Sequence, residues 1–272
     1  FNLPLYAISS GLTSSGSDLG SNQFAPVSLP QVLLLAGPGI NSTEAGEAWY
    51  NLERLAGVSP SLVEPDRLAQ LDLSRYSHIV LPDGNYASWQ EAEIAVIKRW
   101  TEQGGVLWGH KRAAAWLAKA GLLKAGVWQG REMSSLISSD NLSYQDKEAL
   151  AGKQRIAGAI YQAELDLSHP LTFGLTQRTL PVFKNSTMLL QPANAPFVNV
   201  ALYSSAPQLA GYTAAEYIPR ISQSAVLLAH NLGQGRVIAM TDNPVFRGYF
   251  YGSSRLLVNA LYLGRSFSAN SD

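Results

Sequence analysis

The 272-residue chain predicts an α/β fold: a parallel sheet covered by helices on both faces. Three observations carry this. Short apolar runs such as "QVLLLAG" and "VLWG" have the continuous pattern of strands buried on both sides. Segments with helical periodicity alternate with them, and glycine-bearing turns separate the two kinds. Strand-helix-strand order at this spacing calls for right-handed crossovers and a doubly covered sheet.

Residues 1–30 contain "ISSGLTSSGSDLGSN" and read as an extended leader or linker. "QVLLLAG" is the first strand. A helix follows, with Asn41 as N-cap, Glu44 three residues on to complete a cap, and Gly57 as its stop. "VSPSLVEPDRL" holds a second strand, and "SHIVLPDGNY" a third that ends in a Pro-Asp-Gly turn. "SWQEAEIAVIKRWTEQGG" is an amphipathic helix with Ile94, Ile97 and Trp100 on one face. "VLWG" is the fourth strand, and "KRAAAWLAKAG" the helix after it. Residues 122–158 break the rhythm and read as an insertion with a short helix near Tyr144 to Gly152. From Ala159 the pattern turns to β: "AIYQAELD", "PVFKNS", "VALYS" and "SAVLLAHNLGQGRVIAMTD". The last is a hairpin around "LGQGR". "RGYFYGSSRLLVNALYLG" closes the domain with a helix. The organisation is thus a leader (1–30), one domain (31–265) and a tail (266–272).

Composition narrows the function. Lys+Arg and Asp+Glu are both 20, and no basic run stands out, so nucleic-acid binding by phosphate neutralisation is not expected. No apolar run approaches the roughly 20 residues of a membrane span. There is no cysteine, which excludes disulfides, thiolate zinc sites and a cysteine nucleophile. A chain starting at Phe1, with neither an initiator Met nor a signal peptide, reads as a processed protein or an excised fragment. Asn41, Asn141 and Asn185 head glycosylation tripeptides that matter only in a eukaryotic secretory context.

Familiar catalytic motifs fail one by one. Gly37 and Gly39 imitate the start of a dinucleotide fingerprint, but Ser42 stands where its third glycine belongs. No Gly-x-Ser-x-Gly elbow is present. His78, His110, His169 and His230 lie far apart, and none has Asp or Glu three or four residues later. His169 precedes a proline, and hydrogen-bonding that turn is its expected role.

Topology gathers better candidates. In an open parallel sheet, ligands bind outside the carboxyl ends of the strands. Four segments should meet there, carrying Glu44, Glu47, Asp83, Gly84, His110, Lys111, Asp242, Asn243, Arg247 and Tyr251. Each has a structural role to set against a functional one. Glu44 could complete a helix cap, Asp83 could shape a turn, and Asp242 could pair with Arg247. The aromatics Tyr249, Phe250 and Tyr251 could serve a binding face or an interdomain contact.

Several stretches resemble a known region. "LYAISSGLTSSGSDLGSNQFAPVSLPQVLLLAGPGINSTEAGEAWYNLE", "DRLAQLDLSRYSHIVLPDGNY", "GGVLWGHKRAAAWLA", "GAIYQAELDLSHPLTFGL" and "NPVFRGYFYGSSRLLVNALYLG" are similar to the part that follows the catalytic domain in large bacterial zinc carboxypeptidases of the carboxypeptidase A type. That region looks like a class I glutamine amidotransferase-like domain. The resemblance implies a flavodoxin-like three-layer sandwich and an exported parent protein, periplasmic or secreted. Its zinc would sit in an upstream peptidase module, with no cofactor in this chain.

Working amidotransferases carry a cysteine at the strand-to-helix elbow, where this chain offers His110 or Lys111. Neither can form the thioester that glutamine hydrolysis requires. The expected function is therefore a non-catalytic accessory domain that packs on the peptidase module or helps bind a peptide or cell-wall ligand. The alternatives are a hydrolase in which His110 acts as general base beside Glu44 or Asp83, and a stand-alone carbohydrate- or peptide-binding domain.

Overall fold

The structure, a computed structural model, describes residues 3–22, 24 and 26–267. The first two residues of the leader and most of the 266–272 tail lie outside the described residues. Between residues 3 and 31 the described chain forms turns and bends, without a helix or strand.

The elements follow in chain order: β1 (Val32–Leu35), α1 (Ser42–Arg54), β2 (Ser61–Val63), β3 (His78–Leu81), α2 (Glu91–Glu102), β4 (Val106–His110) and α3 (Arg112–Lys119). Next come β5 (Val127–Trp128), α4 (Arg131–Ser134), α5 (Lys147–Lys153), β6 (Ala159–Leu165), β7 (Thr179–Lys184), β8 (Leu189–Leu190) and β9 (Asn199–Gly211). The chain finishes with α6 (Ile218–Ile221), β10 (Ala225–Leu232), β11 (Gly235–Met240) and α7 (Tyr251–Leu263).

One sheet runs β2-β1-β3-β4-β11-β10-β9-β6-β7. Its first five strands are parallel and form the predicted α/β centre. From β11 onward every pairing is antiparallel, beginning with the predicted hairpin of β10 and β11, which closes through Gly233 and Gln234. Pro181 lacks an N–H to donate and sits in β7, at the edge of the sheet, where that loss is tolerated. The 122–158 segment is tied into the sheet: β5 pairs β8, which pairs β10.

Alternation along the parallel strands builds two cores. Val32, Leu34, Val80, Val106 and Trp108 face one side, where Ala48 and Leu52 of α1 and Leu256, Leu257 and Ala260 of α7 cover them. Leu33, Leu35, Ile79, Leu81 and Leu107 face the other, under Ile97 and Trp100 of α2 and Ala113, Ala114 and Leu117 of α3. The result is a three-layer sandwich. The periodicity that places Ile97 and Trp100 inside leaves Ile94 half-buried.

The passage from β4 into α3 has no spare residue. Gly109 pairs with Ala239 of β11 while α3 folds back across it, so a Cβ there would lie 2.7 Å from Leu117 Cδ1 and 3.4 Å from Ala113 Cβ. Gly109→Ala is expected to destabilise the chain by about 1–3 kcal/mol through overpacking. Gly152→Ala, where a Cβ meets nothing within 4 Å inside α5, should be neutral or stabilising. Urea denaturation of both variants checks the contrast.

Candidate functional site

The sharp turn from strand to helix holds one residue in a rare conformation. Lys111, between β4 and α3, has φ 52° and ψ −123°, a left-handed backbone that a side-chain-bearing residue adopts only under constraint. Its N–H donates to Met240 O of β11 at 3.0 Å, which locks the turn to the neighbouring strand. Of the two elbow candidates, Lys111 therefore holds the elbow position, and His110 is the last residue of the strand.

The loops after β1 and β3 bring carboxylates onto this elbow. Asn41 caps α1 through its side chain, which accepts from the Thr43 and Glu44 N–H groups. Glu44 does not reach back to complete the cap. It points inward, where Lys111 Nζ donates a short hydrogen bond to Oε1 and His110 Nε2 approaches Oε2 at 3.3 Å without full hydrogen-bond alignment. Asp83 does more than shape its turn. It accepts from Arg112 N at 3.2 Å, Nε at 2.8 Å and Nη2 at 2.9 Å, and lies 3.6 Å from Lys111 Nζ. Gly84 lets the two loops meet: its backbone bridges Ile40, and a Cβ would lie 2.8 Å from Ile40 Cδ1.

These groups are shut away from water. His110 is fully buried, and Glu44, Asp83 and Lys111 are 4–6% exposed. Burial opposes ionisation of Glu44, but the His110 ring and the Lys111 ammonium outweigh it and hold its carboxyl below the usual range. Asp83 behaves alike: burial opposes its charge, and Arg112 and Lys111 prevail. The indole N–H of Trp108 donates to His110 Nδ1 at 3.3 Å, so the ring proton belongs on Nε2, facing Glu44.

A second buried ion pair adjoins the first. Asp242 does not pair with Arg247 as expected. It accepts from Lys184 Nζ at 3.0 Å and, through a short hydrogen bond, from the Tyr203 hydroxyl. Lys184 also donates to Met188 O at 2.9 Å. Burial pushes the Lys184 ammonium down and the Tyr203 phenol well up, with Asp242 supporting the lysine charge and opposing the phenolate. Lys184 and Tyr203 were not among the sequence candidates. The signal lay in the alternation of β7: Leu180, Val182 and Lys184 share the inward phase.

The remaining candidates form the rim. Glu47 accepts from Asn243 Nδ2 at 2.6 Å and from Arg247 N at 2.8 Å. Tyr251 opens α7 on the surface, 66% exposed. The other histidines stand apart from all this. His78 lies within 3.2 Å of Ala260 O, His169 Nδ1 accepts from Leu171 N to close its turn, and His230 is buried in β10. Among the described residues, no three His, Asp or Glu side chains gather as metal ligands.

No family model matches the chain, and no curated protein sequence matches it. Solved structures match its fold. A ThuA-like protein from Parabacteroides merdae superposes with a TM-score of 0.60 at 15% identity, covering 90% of this chain and 93% of that one. PurLQS from Thermotoga maritima gives 0.55 at 17% identity, with coverage of 86% and 98%. A GMP synthase-type protein from Thermoplasma acidophilum gives 0.52 at 13%, with coverage of 86% and 96%. At these identities the likeness concerns the fold, which is class I glutamine amidotransferase-like.

Two outcomes follow from the buried charges. Lys111→Met strands Glu44 without its cation, while Asp83 keeps Arg112, and should cost about 3–5 kcal/mol in chemical denaturation; adding Glu44→Gln should recover part of it. Acid should lower the stability of the chain over two overlapping pH ranges. His78 and His169 ionise at about 4 in the folded chain, against a usual 6.5, because burial disfavours the charged ring. The unfolded chain takes up those protons first, so stability declines as pH drops from 6.5 towards 4. Glu44 and Asp83 contribute stability that is whole above their usual 4.5 and 3.8 and is lost as pH falls through their lowered values. Both effects share one sign. Thermal unfolding across this range should show a falling Tm, and a flat profile between pH 6.5 and 4 would contradict the histidine assignment.

Proposed function

We propose that this chain is a non-catalytic accessory domain of an exported zinc metallocarboxypeptidase, packing on the peptidase module or assisting substrate binding there. The observation that carries the non-catalytic part is the state of the elbow. An amidotransferase elbow works by presenting a thiolate to its substrate. Here the elbow residue is Lys111, whose ammonium is engaged by Glu44 and Asp83 and covered by protein.

The hydrolase alternative requires an accessible His110 with a free lone pair. Its Nδ1 accepts from the Trp108 indole, its Nε2 faces Glu44, and the ring is fully buried. That geometry speaks against the alternative. The peptidase part of the proposal rests on the resemblance of the quoted sequence stretches. On this reading, which carries over what that resemblance implies, the zinc belongs to the upstream module and the parent protein is periplasmic or secreted. A stand-alone binding domain remains the second reading, favoured by the exposed rings of Trp49, Tyr50, Tyr249 and Tyr251.

Two measurements test the proposal. The purified chain should not accelerate hydrolysis of glutamine, a nitrophenyl ester or a peptide above the uncatalysed rate. Turnover that disappears in His110→Ala would overturn the non-catalytic reading. The gene should encode a zinc peptidase module with a His-x-x-Glu pair upstream of Phe1; a reading frame that opens at Phe1 would overturn the peptidase assignment.

A further inference from the structure

With the deep elbow filled by the protein's own charges, the carboxyl edge of the sheet still holds a shallow cavity, and its construction suggests a ligand. The cavity has a volume of about 360 Å³ and is lined by Thr43, Gly46, Glu47, Tyr50, Arg247 and Gly248. It lies where α1 meets the loop between β11 and α7, over the carboxyl end of the parallel strands, the region where open α/β sheets bind ligands.

The loop is held in an unfavourable shape. Arg247 has φ 51° and ψ 18°, and Gly248 follows at φ 69°. Two successive left-handed residues, the first bearing a long side chain, persist only when neighbours hold them. Glu47 is the main restraint: one carboxylate oxygen accepts from Arg247 N at 2.8 Å and the other from Asn243 Nδ2 at 2.6 Å. Gly248 lies against the Tyr50 ring so closely that a Cβ would come within 3.1 Å of Cε1. Such strain clusters where a side chain must be presented to something.

What it presents is a cation. The exposed Arg247 guanidinium rests over the Phe246 ring, 5.1 Å from its centroid, and no carboxylate lies within ion-pair distance of it among the described residues. Of the two charged groups lining the cavity, Glu47 is engaged by the loop itself, which leaves the arginine for a ligand. A guanidinium offers the planar fork that matches a carboxylate. Tyr50, 52% exposed, supplies an aromatic wall for the body of the ligand. We infer that this rim pocket binds a small carboxylate-bearing ligand, with Arg247 as the anion clamp and Tyr50 as the packing platform. The inference stands whether or not the chain belongs to a peptidase.

A peptide C-terminus and an acidic sugar both carry this chemistry, and matched probes separate them. Amide resonances of the full chain are followed while N-acetyl-Ala-Ala, its C-terminal amide, glucuronate and glucose are each titrated to about 10 mM. At least one acid should shift the Tyr50, Arg247 and Gly248 signals, and its neutral counterpart should not. A response to the dipeptide alone assigns a peptide terminus, and a response to glucuronate alone assigns an acidic sugar. Arg247→Gln should weaken binding about tenfold or more. Arg247→Gly relaxes the left-handed backbone, so it should lose binding while keeping or raising Tm, which separates the clamp from any effect on folding. Equal binding of acid and neutral probe, no shift with either acid, or unchanged affinity in both Arg247 variants would overturn the inference.

Discussion

The left-handed turn at Lys111 is the constraint on which the centre of this protein depends. It lets β4 pass directly into α3, and the close approach of α3 requires Gly109 behind it. The same turn points a lysine inward at the carboxyl end of the parallel strands, where Glu44 and Asp83 from two other loops meet it. An isolated ammonium could not remain charged there, and neither could two isolated carboxylates. Each is tolerated because the others are present, so the three loops hold one another in place.

Chemistry follows from that mutual restraint. A strand-to-helix elbow can present a nucleophile because its side chain projects from a strained, exposed turn. Here the side chain is tied down from two sides, and the neighbouring histidine is held between an indole donor and a carboxylate. A cluster of opposite charges at the expected end of the sheet would ordinarily suggest a working site. Here the cluster is buried, and its lysine and two carboxylates engage one another across three loops. The second pair, Lys184 with Asp242, extends the same principle into the antiparallel half, where the Tyr203 hydroxyl completes the coordination of the carboxylate.

Accessible chemistry is displaced outward to the rim. There Glu47 restrains a strained loop instead of facing solvent, and aromatic rings stand exposed around Arg247. The accessible polar and aromatic side chains thus lie at the sheet edge, while its deepest position is closed by the protein's own side chains.

Local pattern determined much of this. Apolar runs and helical periodicity marked the parallel centre, the β10–β11 hairpin and the closing helix, because strand alternation and helix amphipathicity are properties of consecutive residues. The loops that converge at the carboxyl edge were legible too, since topology alone brings them there. Partner choice was not. Glu44 looked like a cap residue and turned inward, and Asp242 left Arg247 for Lys184, a residue 58 positions earlier in the chain. Which opposite charge a buried carboxylate meets is set by the packing of distant strands, and no spacing along the chain encodes it. Whether the crevice is open or filled depends likewise on where side chains of several loops come to rest, which only the tertiary structure decides.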